Sequence, residues 1–209
     1  MTNIIAIDGP ASAGKSAIAK RISHKLKAPV LFSGRLYRAV AVEMINRNIS
    51  YEDNKAILKC INRIEDNMES KNLYTSEVDR LSSIISTKEF LRDRLKKFQK
   101  SFPKLKAKRK KFAIVEGRDI GTIIFPNAKY KFFMWASTEI RARRRFLQVK
   151  KNGGNSSFKE ILNEISHRDH KDLNRKIAPL KPAVNSVLLD TTNLDIEQAL
   201  NKVLKIIKN

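Results

Sequence analysis

The chain has 209 residues, enough for one α/β domain with insertions and a sizeable core, and its 42% hydrophobic content excludes a disordered polyelectrolyte. A single cysteine, Cys60, excludes an internal disulfide and carries no metal pattern, and no apolar run approaches the ~18 residues of a membrane span, so a cytoplasmic protein without a membrane partner is expected. The net charge of +22 invites a nucleic-acid reading, but enzymes that grip polyphosphates also collect arginine, and a chain rich in Lys, Asn and Ile carries lysine everywhere.

The first apolar run, Ile4–Ile7, ends at Asp8 and leads into Gly9-Pro10-Ala11-Ser12-Ala13-Gly14-Lys15-Ser16, after which Lys15 to about Lys27 reads as helix. Two glycines at this spacing, then Lys and Ser, between a strand and a helix, form a phosphate loop. The turn points successive amides into one concavity, and the helix start adds positive potential there. Lys15 then reaches the outer phosphates of a nucleoside triphosphate, and the Ser16 hydroxyl holds the Mg2+ that travels with it. Gly9 through Ser16, with Ala17 behind them, are the ATP-binding candidates.

Pro29–Phe32 reads as a short buried strand that opens into Ser33-Gly34-Arg35-Leu36-Tyr37-Arg38. A strand, helix and strand in this length imply a right-handed parallel crossover, which brings this second loop to the ligand-binding edge of the sheet. Ser33, Tyr37 and Arg38 are candidates for a second ligand; a helix-capping serine followed by solvated arginines fits the same residues.

Residues 51 to 102 carry helical periodicity: Ile57, Leu58, Ile61 and Ile64, then Val78, Leu81 and Ile85, then Leu91, Leu95, Phe98 and Phe102, with a polar break at Asn67–Asn72. They read as a helical insertion packed beside the sheet. Between Arg92 and Lys111 eleven of twenty residues are Lys or Arg, expected as a solvated helix face and a basic loop after Pro103. Aromatics that could stack on bases are scarce there, because Phe98 and Phe102 lie on the apolar stripe.

The next strand, Phe112–Val115, runs into Glu116-Gly117-Arg118-Asp119-Ile120-Gly121. An acid at the end of an apolar strand orients Mg2+ or its water shell, which assigns Glu116 as a metal residue acting through water. Arg118 and Asp119 follow at the ligand edge. Tyr130–Ala136 and Ser186–Leu189 are the fourth and fifth strands, and Ile196–Ile207 is a last helix with a stripe of Ile196, Leu200, Val203 and Ile207. Between those strands, Arg141, Arg143, Arg144 and Arg145 start a helix that ends at Asn152-Gly153-Gly154-Asn155. A second helix, Phe158 to about Asn174, buries Phe158, Ile161, Leu162 and Ile165 and carries Arg168, Asp172 and Arg175 at i, i+4 and i+7. Two helices, a Gly-Gly tip and arginines have the anatomy of a mobile lid, although a surface helix pair with ordinary ion pairs has the same pattern.

Taken together, these motifs resemble the bacterial-type cytidylate kinases, P-loop nucleoside monophosphate kinases, over nearly the whole chain. The match runs from Ile7-Asp8-Gly9-Pro10 and Ser33–Arg38 through Glu116–Thr122 and Phe125-Pro126. It continues in Arg168-Asp169-His170-Lys171-Asp172-Leu173-Asn174-Arg175, Ala178-Pro179-Leu180 and Leu189-Asp190-Thr191-Thr192. The resemblance implies that Ser83, Arg92 and Asp119 read the cytosine ring, and that Ser33, Arg38 and Arg118 hold the nucleotide and its monophosphate. It implies sugar contacts for Arg168 and Asp172 and phosphate contacts for Arg175. Lys15, Arg118, Arg168 and Arg175 then form the catalytic set. Looser similarity to nucleoside monophosphate kinases puts Arg141 against adenine and Arg145 on the ATP phosphates. The sequence departs from the family at Ser12, where glycine is common, and in a shortened monophosphate-binding insertion where the family often carries a β-rich hairpin.

The expected fold is therefore an α/β P-loop kinase with a five-stranded parallel sheet flanked by helices. Its core is 1–50, 103–140 and 176–209, with a helical monophosphate-binding insertion at about 51–102 and an arginine-rich lid at about 141–175. The expected reaction is in-line, Mg2+-dependent transfer of the ATP γ-phosphoryl group to CMP or dCMP by a monomer with no specific nucleic-acid partner. The rivals are a nucleic-acid-binding P-loop ATPase that uses Arg92–Lys111, and a kinase for another nucleoside monophosphate or small metabolite.

Overall fold

A computed structural model describes residues 2–151 and 153–208. It falls into two compact units, residues 1–31 with 102–209, and residues 32–101.

The first unit is built on a parallel sheet of β1 (Asn3–Asp8), β2 (Val30–Phe32), β3 (Phe112–Gly117), β4 (Tyr130–Trp135) and β5 (Val187–Asp190), in the order β2-β3-β1-β4-β5. β1 (Asn3–Asp8) is followed by α1 (Lys15–Leu26) and by β2 (Val30–Phe32), which crosses into the second unit at its last residue. The central strand is shielded on both faces, so it reads as an uninterrupted apolar run, and Ile5, Ala6 and Ile7 are all at most 1% exposed.

In the second unit, α2 (Ser33–Asn46) starts directly at Ser33, so Ser33–Arg38 is the first turn and a half of a helix rather than a loop. The apolar spacing of Leu36, Ala39, Val40 and Met44 carries the helix back to its start, and Phe32 is its cap. Short helices follow, α3 (Asn54–Cys60), α4 (Ile64–Asn67) and α5 (Ser76–Ile85), with 3-10 turns at Ile61–Arg63 and Lys71–Tyr74. Ile57, Ile64, Val78 and Ile85 are buried as the periodicity demands, whereas Leu58 is exposed, one position off the stripe. α6 (Glu89–Lys106) begins in this unit and ends in the first. It runs through Pro103 instead of stopping before it, because proline forfeits only its own amide bond in the last turn and Ala107 still donates to the Pro103 carbonyl at 3.1 Å.

Back in the first unit, six of the eight residues 104–111 are basic. The Thr2 hydroxyl donates to the carbonyls of Ala107 and Lys110, and the Asn3 amide to Lys111. Those bonds hold the basic segment at the amino-terminal edge of the sheet, where β3 (Phe112–Gly117) begins beside Asn3. The phosphate loop leaves the opposite edge. β4 (Tyr130–Trp135) leads to α7 (Thr138–Lys151) and α8 (Phe158–Asn174), and β5 (Val187–Asp190) to α9 (Ile196–Lys208). Asn152, part of the expected lid tip, lies outside the described residues.

α7 and α8 pack through Ala142, Ile161 and Ile165, with Phe146, Val149 and Leu162 partly buried around them. Phe158, expected in that core, is 40% exposed and touches Phe146 edge-on at 6.1 Å, because it is the first residue of α8 beyond the Ser157 cap. Ile196 is likewise exposed at the start of α9, while Leu200, Val203 and Ile207 are buried. Among the described residues no helix is long and apolar enough to cross a membrane.

Candidate phosphate and nucleotide site

The phosphate loop is folded by local necessity. Gly9 has φ 145°, and a side chain there would overlap the Met134 carbonyl of β4, so only glycine lets the loop turn under that strand. Gly14 caps α1 with φ 87°. Ser12 lies between them at φ 59°, in the left-handed region that glycine favours. Ala13 is fully buried. Three loop carbonyls are engaged by protein donors: Pro10 by the Lys15 ammonium at 2.7 Å, Ala11 by Arg141 at 3.3 Å and Ala13 by the Thr191 hydroxyl at 3.2 Å. With these acceptors occupied, the loop is suited to an anion.

Lys15 is 4% exposed and its ammonium lies 3.5 Å from a Glu116 oxygen. The Ser16 hydroxyl donates to the other Glu116 oxygen at 3.1 Å. Burial, with Arg118 and Arg168 nearby, pulls the Lys15 pKa down to about 7, against the attraction of Glu116 and Asp8. One hydroxyl beside one carboxylate is a donor pair that suits Mg2+, a hard cation that keeps several waters and takes phosphate oxygens for the rest.

The arginines converge on Asp172, near the C-terminal end of α8. Its carboxylate takes Arg118 Nε at 2.9 Å and lies 3.6 Å from Arg175. Burial alone would raise the Asp172 pKa, but Arg118, Arg168 and Arg175 hold it below the ordinary carboxylate value. The same partnership raises Arg118 above its usual value despite desolvation. The first unit therefore gathers Lys15, Ser16, Glu116, Arg118, Arg168, Asp172 and Arg175 into one electrostatically coupled group. Asp119 is 6% exposed at the start of the turn beyond β3.

Arg141 is 4% exposed and heavily bonded: to the Ala136 and Ala11 carbonyls, to Thr138 and, at 2.6 Å, to Asp169. It ties the phosphate loop to α7 and α8. Arg144 instead anchors α7 to the Thr191 and Leu194 carbonyls, and Arg145, partly buried, donates to Gln148.

In the second unit, Ser33 is buried and its hydroxyl has no hydrogen-bond partner among the described residues. Arg38 is ion-paired with Asp79 and stacks over Tyr74 at 4.9 Å. Arg92 donates to the Ser86 carbonyl at 2.9 Å and lies over the Tyr37 ring at 6.0 Å, and Ser83 is half-buried on α5. Arg38 thus groups with Asp79 and Tyr74, and Arg92 with Tyr37, pairings that periodicity could not reveal.

Sequence reasoning missed Asp8. It closes β1, is 3% exposed, and its carboxylate accepts from the amides of Ile120 and Gly121 at 2.8 and 2.7 Å. The available signal was a charged residue ending the apolar run Ile4–Ile7 directly before Gly9.

A family model described as "Cytidylate kinase" matches residues 5–209. A cytidylate kinase of Clostridium botulinum (strain Langeland) is 39% identical over 220 residues, spanning 100% of this chain and 99% of that protein. One of Caldicellulosiruptor bescii is 37% identical over 224 residues, spanning 98% and 97%. Among solved structures, a sugar kinase from Janibacter sp. HTCC2649 is 11% identical with a TM-score of 0.55, covering 100% of this chain and 95% of its own, a likeness of fold alone.

Proposed function

The chain belongs to the cytidylate kinase family, and on that premise we propose that it transfers the γ-phosphoryl group of ATP to CMP or dCMP, giving ADP with CDP or dCDP in the cytoplasm. The observation that carries the reading is the coupling of Lys15, seated in the phosphate loop, to the Arg118–Asp172–Arg175 cluster beside Arg168. The acceptor is already a phosphate oxygen, so no strong general base is required, and catalysis is positioning plus neutralisation of charge.

The loop amides and Lys15 hold the donor's phosphates. Arg118, Arg168 and Arg175 neutralise the group in flight, and Asp172 keeps their guanidiniums in register and meets the sugar. In the first unit Asp119 reads the cytosine ring; in the second unit Arg92 and Ser83 are the further base contacts, and Ser33, Tyr37 and Arg38 hold the monophosphate nucleotide. Arg141 and Arg145, on α7, serve the ATP side. Ser16 and Glu116 would hold Mg2+, which supplies charge neutralisation on the phosphates when bound. A coupled ADP-release assay over CMP, dCMP, UMP, AMP, GMP and shikimate tests the reading. CMP or dCMP should be the best acceptor; preferential turnover of AMP, GMP or shikimate would overturn it.

A further inference from the structure

We propose that Asp8 is a positioning residue for base selection: its carboxylate fixes the start of the turn that directly follows Arg118 and Asp119. The inference rests on the reading of Asp119 as the base contact.

β1 and β3 run side by side in register, Asp8 opposite Gly117, and both end there. Beyond Gly117 the chain passes Arg118 and Asp119 and winds into a single π-type turn, Ile120–Ile124. The Ile124 amide reaches back to the Asp119 carbonyl at 3.2 Å and the Phe125 amide to Ile120 at 2.7 Å. A helical turn leaves the amides at its start without partners inside the turn. Here two of them, Ile120 and Gly121, are buried and point at the two oxygens of Asp8, one each. A carboxylate at that end also opposes the turn's dipole favourably.

The arrangement is tight. A Cβ added at Gly121 would stand 3.3 Å from Asp8 Oδ2 and 3.1 Å from the Ala183 side chain. It is also costly, since desolvation drives the Asp8 pKa up to about 7 against the pull of the two amides and of Lys15. Apolar packing would not need a carboxylate at a position 3% exposed. What the carboxylate provides is a shared reference point. Asp8 immediately precedes Gly9, so the start of the phosphate loop and the Arg118–Asp119 turn are both set from one residue. A small displacement of the turn would move Asp119 relative to the base and so act on selectivity.

The experiment compares wild type, Asp8→Asn and Gly121→Ala, each first checked for cooperative melting, by kcat and KM on CMP and UMP and by direct titration with a non-hydrolysable ATP analogue. Asp8→Asn replaces one acceptor by an NH2 that faces an amide, and Gly121→Ala presses on the same contact without changing charge. Both should keep the ATP-analogue Kd within about threefold. Both should lower kcat/KM for CMP by roughly ten- to a hundredfold, the size of one lost buried hydrogen bond, and shrink the CMP-to-UMP ratio. Equal losses on CMP and UMP in a folded variant, or an unchanged CMP rate, would overturn the proposal. If Asp8→Asn does not fold, Gly121→Ala decides. A wild-type enzyme with no preference for CMP would instead defeat the reading of Asp119, which the unmutated protein alone reveals.

Discussion

Glu116 receives the Ser16 hydroxyl on one oxygen and faces the Lys15 ammonium with the other, so the single acid near the end of β3 orients both side chains that open α1. The loop's backbone is held separately, through its carbonyls, by Arg141 and Thr191. Lys15 belongs to both sets, because its ammonium also donates to the Pro10 carbonyl at 2.7 Å.

Lys15→Ala should spare most ATP binding, which the backbone supplies, and lower kcat by about 10²–10³, the usual size for one preorganised electrostatic contact. Steady-state kinetics with CMP, set beside a direct nucleotide titration, check the split. Wild-type turnover would remove Lys15 from the chemistry.

Base choice should be separable from sugar and phosphate binding. An ionised Asp119 only accepts, which suits the amino group of cytosine and opposes the carbonyl of uracil. Asp119→Asn should lower kcat/KM on CMP and narrow the CMP-to-UMP ratio. Asp172→Ala should lower both substrates by similar factors, and it should also depress Tm, because it strips the counter-charge from Arg118 and Arg175, whose side chains are 19% and 7% exposed.

Ser12→Gly should stabilise the protein. A residue with a side chain at φ 59° costs about 1 kcal/mol or somewhat more, and the greater freedom of glycine in the unfolded chain cancels part of the gain. A Tm rise of roughly 1–3 °C is expected by thermal melting. A fall would mean that the Ser12 side chain stabilises the loop by more than its backbone strains it.

The stability of the nucleotide-free enzyme should pass through a shallow minimum near neutrality. Asp8 has its pKa raised from 3.8 to about 7, so its contribution is fully present below pH 3.8 and is lost as pH rises through about 7. Lys15 has its pKa lowered from 10.5 to about 7, so its contribution is present above pH 10.5 and is lost as pH falls through about 7. Melting from pH 5 to 10 should show both limbs, with Asp8→Asn flattening the acid limb and Lys15→Met the alkaline one. A wild-type profile that both variants reproduce unchanged would show that neither group titrates in this range.

Local pattern made much of this legible. The Gly-Lys-Ser spacing located the turn from β1 into α1, and a charge at the end of an apolar strand located Glu116, which lies against Lys15 and Ser16, because both obey rules of a few residues. The contacts of Asp8 with Ile120 and Gly121 depend on a π-type turn more than a hundred residues away in sequence, for which no local pattern exists. The pairing of Arg38 with Asp79 and the burial of Arg141 against Asp169 are tertiary in the same way. Pro103 and Phe158 show the opposite error, in which a sound local rule yields to position: the proline sits where a helix is ending and the phenylalanine where one begins.

The basic segment 104–111, bonded to Thr2 and Asn3, lies six strand residues from the phosphate loop, about 17–20 Å at the usual rise. A handle that strong, on the face turned away from the reaction, makes the enzyme self-orienting on an anionic support. Adsorbed to phosphocellulose or heparin beads in low-salt buffer, it should rest on this pole of the first unit, turn over CMP on the bead, and wash off as salt approaches ~0.2 M, where such contacts weaken greatly.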